Sequence, residues 1–134
     1  MSASALAGEG GALQREDGML EFTIENQLLA DDTRVVSVAG ELDMYTAPSF
    51  EQQVHAALDD GARVVIDLTG CSFMDSTALG ILLSTRKQLG GKNDRLVLVA
   101  AERNILKLFE ITGLETTFTI VPTRAAALNG AARV

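Results

Sequence analysis

Few side chains in this chain are suited to chemistry, and the most suggestive stand together. Asp75-Ser76-Thr77 interrupts the apolar stretch from Val64 to Leu83, VVIDLTGCSFMDSTALGILL. A serine there is a candidate nucleophile or phosphoryl acceptor. A hydrolase elbow would read G-x-S-x-G, whereas this segment reads Met74-Asp75-Ser76-Thr77-Ala78, without the glycines. His55 is the only histidine and lies among Gln52, Gln53 and Asp59, the setting of a solvated surface residue and not of a general base. One Cys, Cys71, and one His do not make a structural zinc site. Asp43, Asp67 and Asp75 could approach each other at strand ends and hold a hard cation, but scattered acids alone are weak evidence for a metal. Gly90-Gly91-Lys92 lacks P-loop spacing and follows a helix instead of preceding one, so it reads as a turn. No catalytic residue, metal or cofactor is assigned. For Asp75-Ser76 two readings stay open. Both residue types cap helices, because their oxygens accept from free backbone N–H groups. A hydroxyl at a helix start is also a good place for a phosphate, since the N–H groups and the helix dipole favour negative charge. Capping and function can coexist.

These residues need elements to position them. Val64-Val65-Ile66 through Leu68 reads as a buried strand, running from about Arg63 to Phe73. Leu79, Leu82 and Leu83 have the spacing of one helical face, over about Ser76 to Leu89, with Gly90-Gly91 as the stop. A strand thus delivers Asp75-Ser76 to a helix start, the edge of an open α/β fold where sites are usually built. Upstream, Glu21 to Glu25 alternates polar and apolar, and Arg34 to Leu42 is a second strand. With a turn at Asp31-Asp32, the two make a hairpin. Gly40 is suited to a bulge or a close backbone approach. Thr46 is placed to N-cap a helix with Ala47, Phe50, Val54, Ala57 and Leu58 on one face, ended by Asp59-Asp60-Gly61. Downstream come a strand over Arg95 to Ala101, a helix marked by Ile105, Leu108 and Phe109, a short strand at Phe118 to Val121, and an Ala-rich helix opened by Pro122. Cys71 and Met74, at the end of the central strand, are expected to pack. The order β-β-α-β-α-β-α-β-α implies an α/β domain: an opening hairpin, then βα units, in a small mixed sheet packed with about four helices.

Composition bounds the function. The chain has 134 residues, enough for one core, and that core must be aliphatic, since aromatics make up 4% and Trp is absent. A net charge of −7 disfavours nucleic acid and anionic membranes, both of which ask for a basic face. Apolar runs are far short of the roughly 20 residues of a membrane span. The first residues, MSASALAGEGGALQRED, lack the basic start and apolar block of a signal peptide. A cytoplasmic protein is expected, with residues 1–17 as a disordered tail and residues 18–134 as one domain.

Phe73-Met74-Asp75-Ser76-Thr77-Ala78-Leu79-Gly80, preceded by Val65-Ile66-Asp67-Leu68, resembles the STAS domains of bacterial anti-anti-sigma factors. Gly40-Glu41-Leu42-Asp43 with Thr46-Ala47 is similar to that family's second-strand motif, and Leu108-Phe109 with Thr112-Gly113-Leu114 to its later helix and turn. The resemblance runs from about Phe22 to about Leu128. It implies a partner switch and not an enzyme. The unphosphorylated protein binds an anti-sigma factor that is also a serine kinase and frees the sigma factor. Phosphorylation at the position of Ser76 ends binding, and a serine phosphatase resets it. Asp43 and Asp75 match acidic positions near the acceptor. The implied contact surface comprises Asp43, Asp75, Ser76, Thr77 and the exposed side of the following helix at Gly80 and Ser84, where small residues admit a partner closely. The family usually has Ser or Thr and then Gly after the acceptor. Here Thr77-Ala78 stands there, so Thr77 is a second candidate acceptor and the loop is less permissive. STAS domains also serve as accessory subunits of lipid-transport ATPases, the alternative partner class, and as tails of anion transporters, which the lack of membrane spans disfavours. An enzyme would instead show turnover without any partner.

Overall fold

The computed structural model describes residues 10–14, 21–29, 32–59, 63–90 and 95–132. Its elements are β1 (Gly10–Gln14), β2 (Glu21–Leu29), β3 (Thr33–Leu42), α1 (Ala47–Asp59), β4 (Arg63–Met74), α2 (Ser76–Gln88), β5 (Leu96–Val99), α3 (Arg103–Ile111), β6 (Thr119–Val121) and α4 (Arg124–Ala132). The strands form one six-stranded sheet in chain order. β1, β2 and β3 are antiparallel neighbours, and β3 through β6 run parallel, joined by helices. The expected mixed sheet with its hairpin is therefore present, with one strand more than expected. Gly10–Gln14, placed in the disordered tail, instead pairs along β2; the rest of residues 1–17 lies outside the described residues. Backbone N–H and C=O groups do this pairing, and the open edge of β2 offers them a ladder whatever the side chains.

β4 explains the architecture. Val64, Val65, Ile66, Asp67 and Leu68 are all buried, so alternation vanishes because both sheet faces are covered. On one face, Phe22, Ile24, Val36, Ile66 and Leu68 pack with Phe50 and Val54 of α1, Leu79 and Leu82 of α2, and Ile105 and Phe109 of α3. Phe118 meets Phe109 edge to face, with centroids 5.8 Å apart. On the other face, α4 is the one helix among the described residues that closes a smaller core, Ala127 over Val35, Val65, Val97 and Val99. Cys71 and Met74 are buried in the larger core, as expected of packing residues. Gly40 has φ +106°, and the β3–β4 register shifts on either side of it, the irregularity its sequence position suggested. Leu83 departs from expectation. The buried face of α2 is Ala78, Leu79, Ile81, Leu82 and Thr85, which leaves Leu83 39% exposed. The parallel strands β3 and β4 end side by side, which sets two turns together.

Candidate functional site

β4 hands the chain to α2 through Asp75. Its backbone is extended (φ −112°, ψ −175°), and its Oδ1 accepts from the N–H of Thr77 at 2.9 Å and of Ala78 at 3.4 Å. Asp75, not Ser76, is therefore the N-cap, and Ser76 is the first helical residue. The N–H of Asp75 donates to the Leu42 carbonyl at 3.1 Å, which ties this turn to the end of β3. There Asp43 Oδ1 accepts from the N–H groups of Tyr45 at 2.9 Å and Thr46 at 3.1 Å. The Thr46 hydroxyl accepts from the Asp43 N–H at 3.0 Å and donates to the Glu41 carbonyl at 2.8 Å. Thr46 stands just before α1 as expected, but its side chain braces the turn behind it instead of serving the helix amides ahead. Both turns are thus held by their own carboxylates and hydroxyl.

Within this frame Ser76 is exposed, and its hydroxyl has no hydrogen-bond partner among the described residues. Thr77, Gly80 and Ser84 are exposed with it along α2, while Asp43 and Asp75 are half-buried. A Cβ built on Gly80 meets nothing within 4 Å, so no internal contact requires glycine there. The structure also brings forward residues that sequence patterning passed over. Met44 is 76% and Tyr45 59% exposed in the β3–α1 turn, Phe73 is 47% exposed at the end of β4, and Leu83 stands one helical turn beyond Gly80. Large apolar groups at a strand-end turn, between Asp43 and Thr46, were the available signal; such residues in water mark contact surfaces when they gather.

Other candidates lie apart. His55 is exposed near the far end of α1, with its Nε2 4.0 Å from a Glu51 carboxylate oxygen one helical turn back. Asp67, expected near Asp43 and Asp75, points to the opposite sheet face, where its Oδ2 accepts from Arg124 Nε at 2.9 Å. Arg124 also donates to Ser37 Oγ at 2.7 Å. Burial pushes the Asp67 carboxyl up, but the Thr69 hydroxyl and N–H and the Arg124 guanidinium outweigh it, leaving it below the usual 3.8. Among the described residues no three acidic, His or Cys side chains gather as a metal site. No helix among them is long and apolar enough to cross a membrane. Burial pushes the Cys71 thiol up to about 11, so it is no nucleophile at neutral pH.

Comparison with known proteins gives concordant likenesses. The model of the STAS domain matches residues 26–127. An anti-sigma-B factor antagonist of Listeria monocytogenes is 40% identical over 102 residues, which is 75% of this chain and 90% of that protein. The Staphylococcus aureus protein of the same name is 41% identical over 81 residues, 60% of this chain and 75% of its own. A crystal structure of an anti-sigma factor antagonist from Mycobacterium paratuberculosis superimposes with a TM-score of 0.74 at 36% identity, covering 90% of this chain and 99% of that one.

Proposed function

This chain belongs to the STAS domain family, and from that premise we propose that it is an anti-anti-sigma factor switched by phosphorylation of Ser76. Unphosphorylated, it binds an anti-sigma factor that is itself a serine kinase, and the sigma factor is released. The kinase then phosphorylates Ser76, the complex separates, and a serine phosphatase restores the hydroxyl. The protein works in the cytoplasm as a binding partner and performs no chemistry of its own. The names of its relatives support the partner class. The observation that carries the choice of residue is the free, exposed hydroxyl of Ser76 beside two braced turns. Among the described residues no hydrogen bond uses that hydroxyl, so in this reading it can be modified without unfolding the domain.

Asp43, Asp75, Ser76, Thr77, Gly80 and Ser84 form the polar part of the contact surface in this reading, with Met44, Tyr45 and Leu83 as its apolar part. A phosphate adds about −1.5 to −2 charge at neutral pH. Set beside Asp75 and against a closely packed partner, it carries a repulsion of several kcal/mol by typical estimates, enough to change affinity by orders of magnitude. The test is a reaction of the cognate kinase and ATP with wild type, Ser76→Ala and Ser76→Glu, read by mass spectrometry and by binding. Wild type gains one phosphate on Ser76. Ser76→Ala gains none and stays bound, and Ser76→Glu folds but binds poorly. Phosphate found only on Thr77, or Ser76→Ala modified at the wild-type rate, would remove Ser76 from the mechanism. Capture of a transporter ATPase in place of a kinase would replace the whole reading.

A further inference from the structure

Helix N-termini attract phosphates because their first N–H groups are unpaired and the dipole is positive there. At α2 the donors of the second and third helical residues are already taken: Asp75 Oδ1 accepts from both Thr77 and Ala78. A phosphate on the very next residue finds a carboxylate where it would otherwise dock. We propose that Asp75 is a positioning residue that keeps the phosphate of Ser76 off the helix N-terminus. The phosphoryl group then stands in solvent at the contact surface, where it repels the kinase and is open to the phosphatase, instead of folding back as a second cap. This rests on Ser76 being the acceptor.

Among the described residues, the charged and titratable groups at this edge are few. Glu41, Asp43 and Tyr45 come from the end of β3 and its turn, Asp75 from the cap, and Glu102 and Arg103 from the start of α3. Arg86 and Lys87 sit in the last turn of α2, about 15 Å along the axis from Ser76. The local balance is acidic even with Arg103, and Asp75 is the acid that shares donors with the phosphate.

The experiment uses the full chain with phosphoserine genetically encoded at position 76, in wild type, Asp75→Asn and Asp75→Ala. Phosphorus NMR titration reads the second pKa of the phosphate. In wild type it lies above the ordinary value of about 6, because a neighbouring carboxylate holds the amides. Asp75→Asn keeps a capping oxygen and loses the charge, so the phosphate pKa falls. Asp75→Ala also frees the amides, so it falls furthest, roughly one unit below wild type. Arg103 is common to all three and moves them together. Thermal unfolding gives an independent sign: phosphoserine lowers the melting temperature of wild type relative to its unmodified form and raises that of Asp75→Ala. Equal phosphate pKa values, any other order, or the same sign of thermal shift in both would overturn the proposal. Should Asp75→Ala not fold, wild type and Asp75→Asn decide alone, equality again overturning it. Failure of the kinase to modify Ser76 would sink the proposed function but leave this measurement standing, since the encoded phosphate does not come from the kinase.

Discussion

Gly80 offers a test in which stability and binding are expected to move in opposite directions. It is the fifth residue of α2, exposed, and a Cβ there would meet nothing within 4 Å beyond the local backbone of its own helix. Glycine in a helix interior costs about 0.8–1 kcal/mol relative to alanine, because it loses more backbone freedom on folding. Gly80→Ala therefore stabilises the free protein by about that amount, which raises the melting temperature by roughly 4 °C for a domain of this size. Gly80→Gln recovers most of the same gain, since glutamine is also a good helix former. At the proposed surface the effect reverses. A side chain on the strip between Ser76 and Ser84 fills the space a close partner needs. Gly80→Gln should weaken kinase binding at least tenfold, about 1.4 kcal/mol, and Gly80→Ala by less. Thermal unfolding gives the first quantity, and calorimetric titration of the kinase with each purified variant gives the second. Misfolding cannot produce higher stability together with lower affinity. Stabilised variants that bind as wild type would place the contact surface elsewhere and would refute the argument from small residues.

Two other groups give predictions away from the site. Asp67 has a folded pKa below its unfolded value, so its contribution to stability is complete above the unfolded pKa and is lost as the pH falls through the folded one. Arg124→Ala leaves the buried carboxylate without its guanidinium and costs roughly 1–2 kcal/mol, discounted because Arg124 is partly exposed; acid unfolding followed by circular dichroism should begin at a higher pH, and an unchanged acid midpoint would show that the pair contributes nothing. Cys71, raised from 9.0 to about 11, has a thiolate fraction about a hundredfold below that of the unfolded chain near neutral pH. Iodoacetamide should label it far more slowly in the native protein than in urea, and equal rates would mean that the end of β4 opens readily.

Much of this fold was legible because its strongest signals are local. The apolar run at Val64 to Leu68, the capping types at Asp75-Ser76, and the five apolar positions of α1 each state an element through their own neighbours. What escaped depends on partners distant in sequence. β1 forms because β2 has a free edge, a fact about the sheet and not about Gly10–Gln14. Asp67 seemed one of three acids at strand ends, yet its role is set by Arg124, 57 positions on. Leu83 is as apolar as Leu82, and only the angle at which α2 lies on the sheet decides that one is buried and the other wet. The site was half legible for the same reason. Its polar residues follow from a strand–helix junction, whereas the exposure of Met44 and Tyr45 follows from how β3 and β4 end together.

The placement of the braces also bears on how a switch can sit in so small a domain. Among the described residues, the hydrogen bonds that brace the two turns do not use the Ser76 side chain: Asp75 holds α2, Asp43 and Thr46 hold the neighbouring turn, and the Asp75 N–H joins the two. A phosphoacceptor that also held its helix would trade stability for signalling at each cycle, because each modification would remove a cap worth about 1 kcal/mol. Here the adjacent aspartate does the holding, so the serine is free to change charge while the frame stays fixed. The same division predicts asymmetric tolerance. Asp75→Ala and Asp43→Ala should each lower the melting temperature of the unmodified protein, and Ser76→Ala should leave it nearly unchanged. A Ser76→Ala protein destabilised as much as Asp75→Ala would show that the hydroxyl carries structure after all.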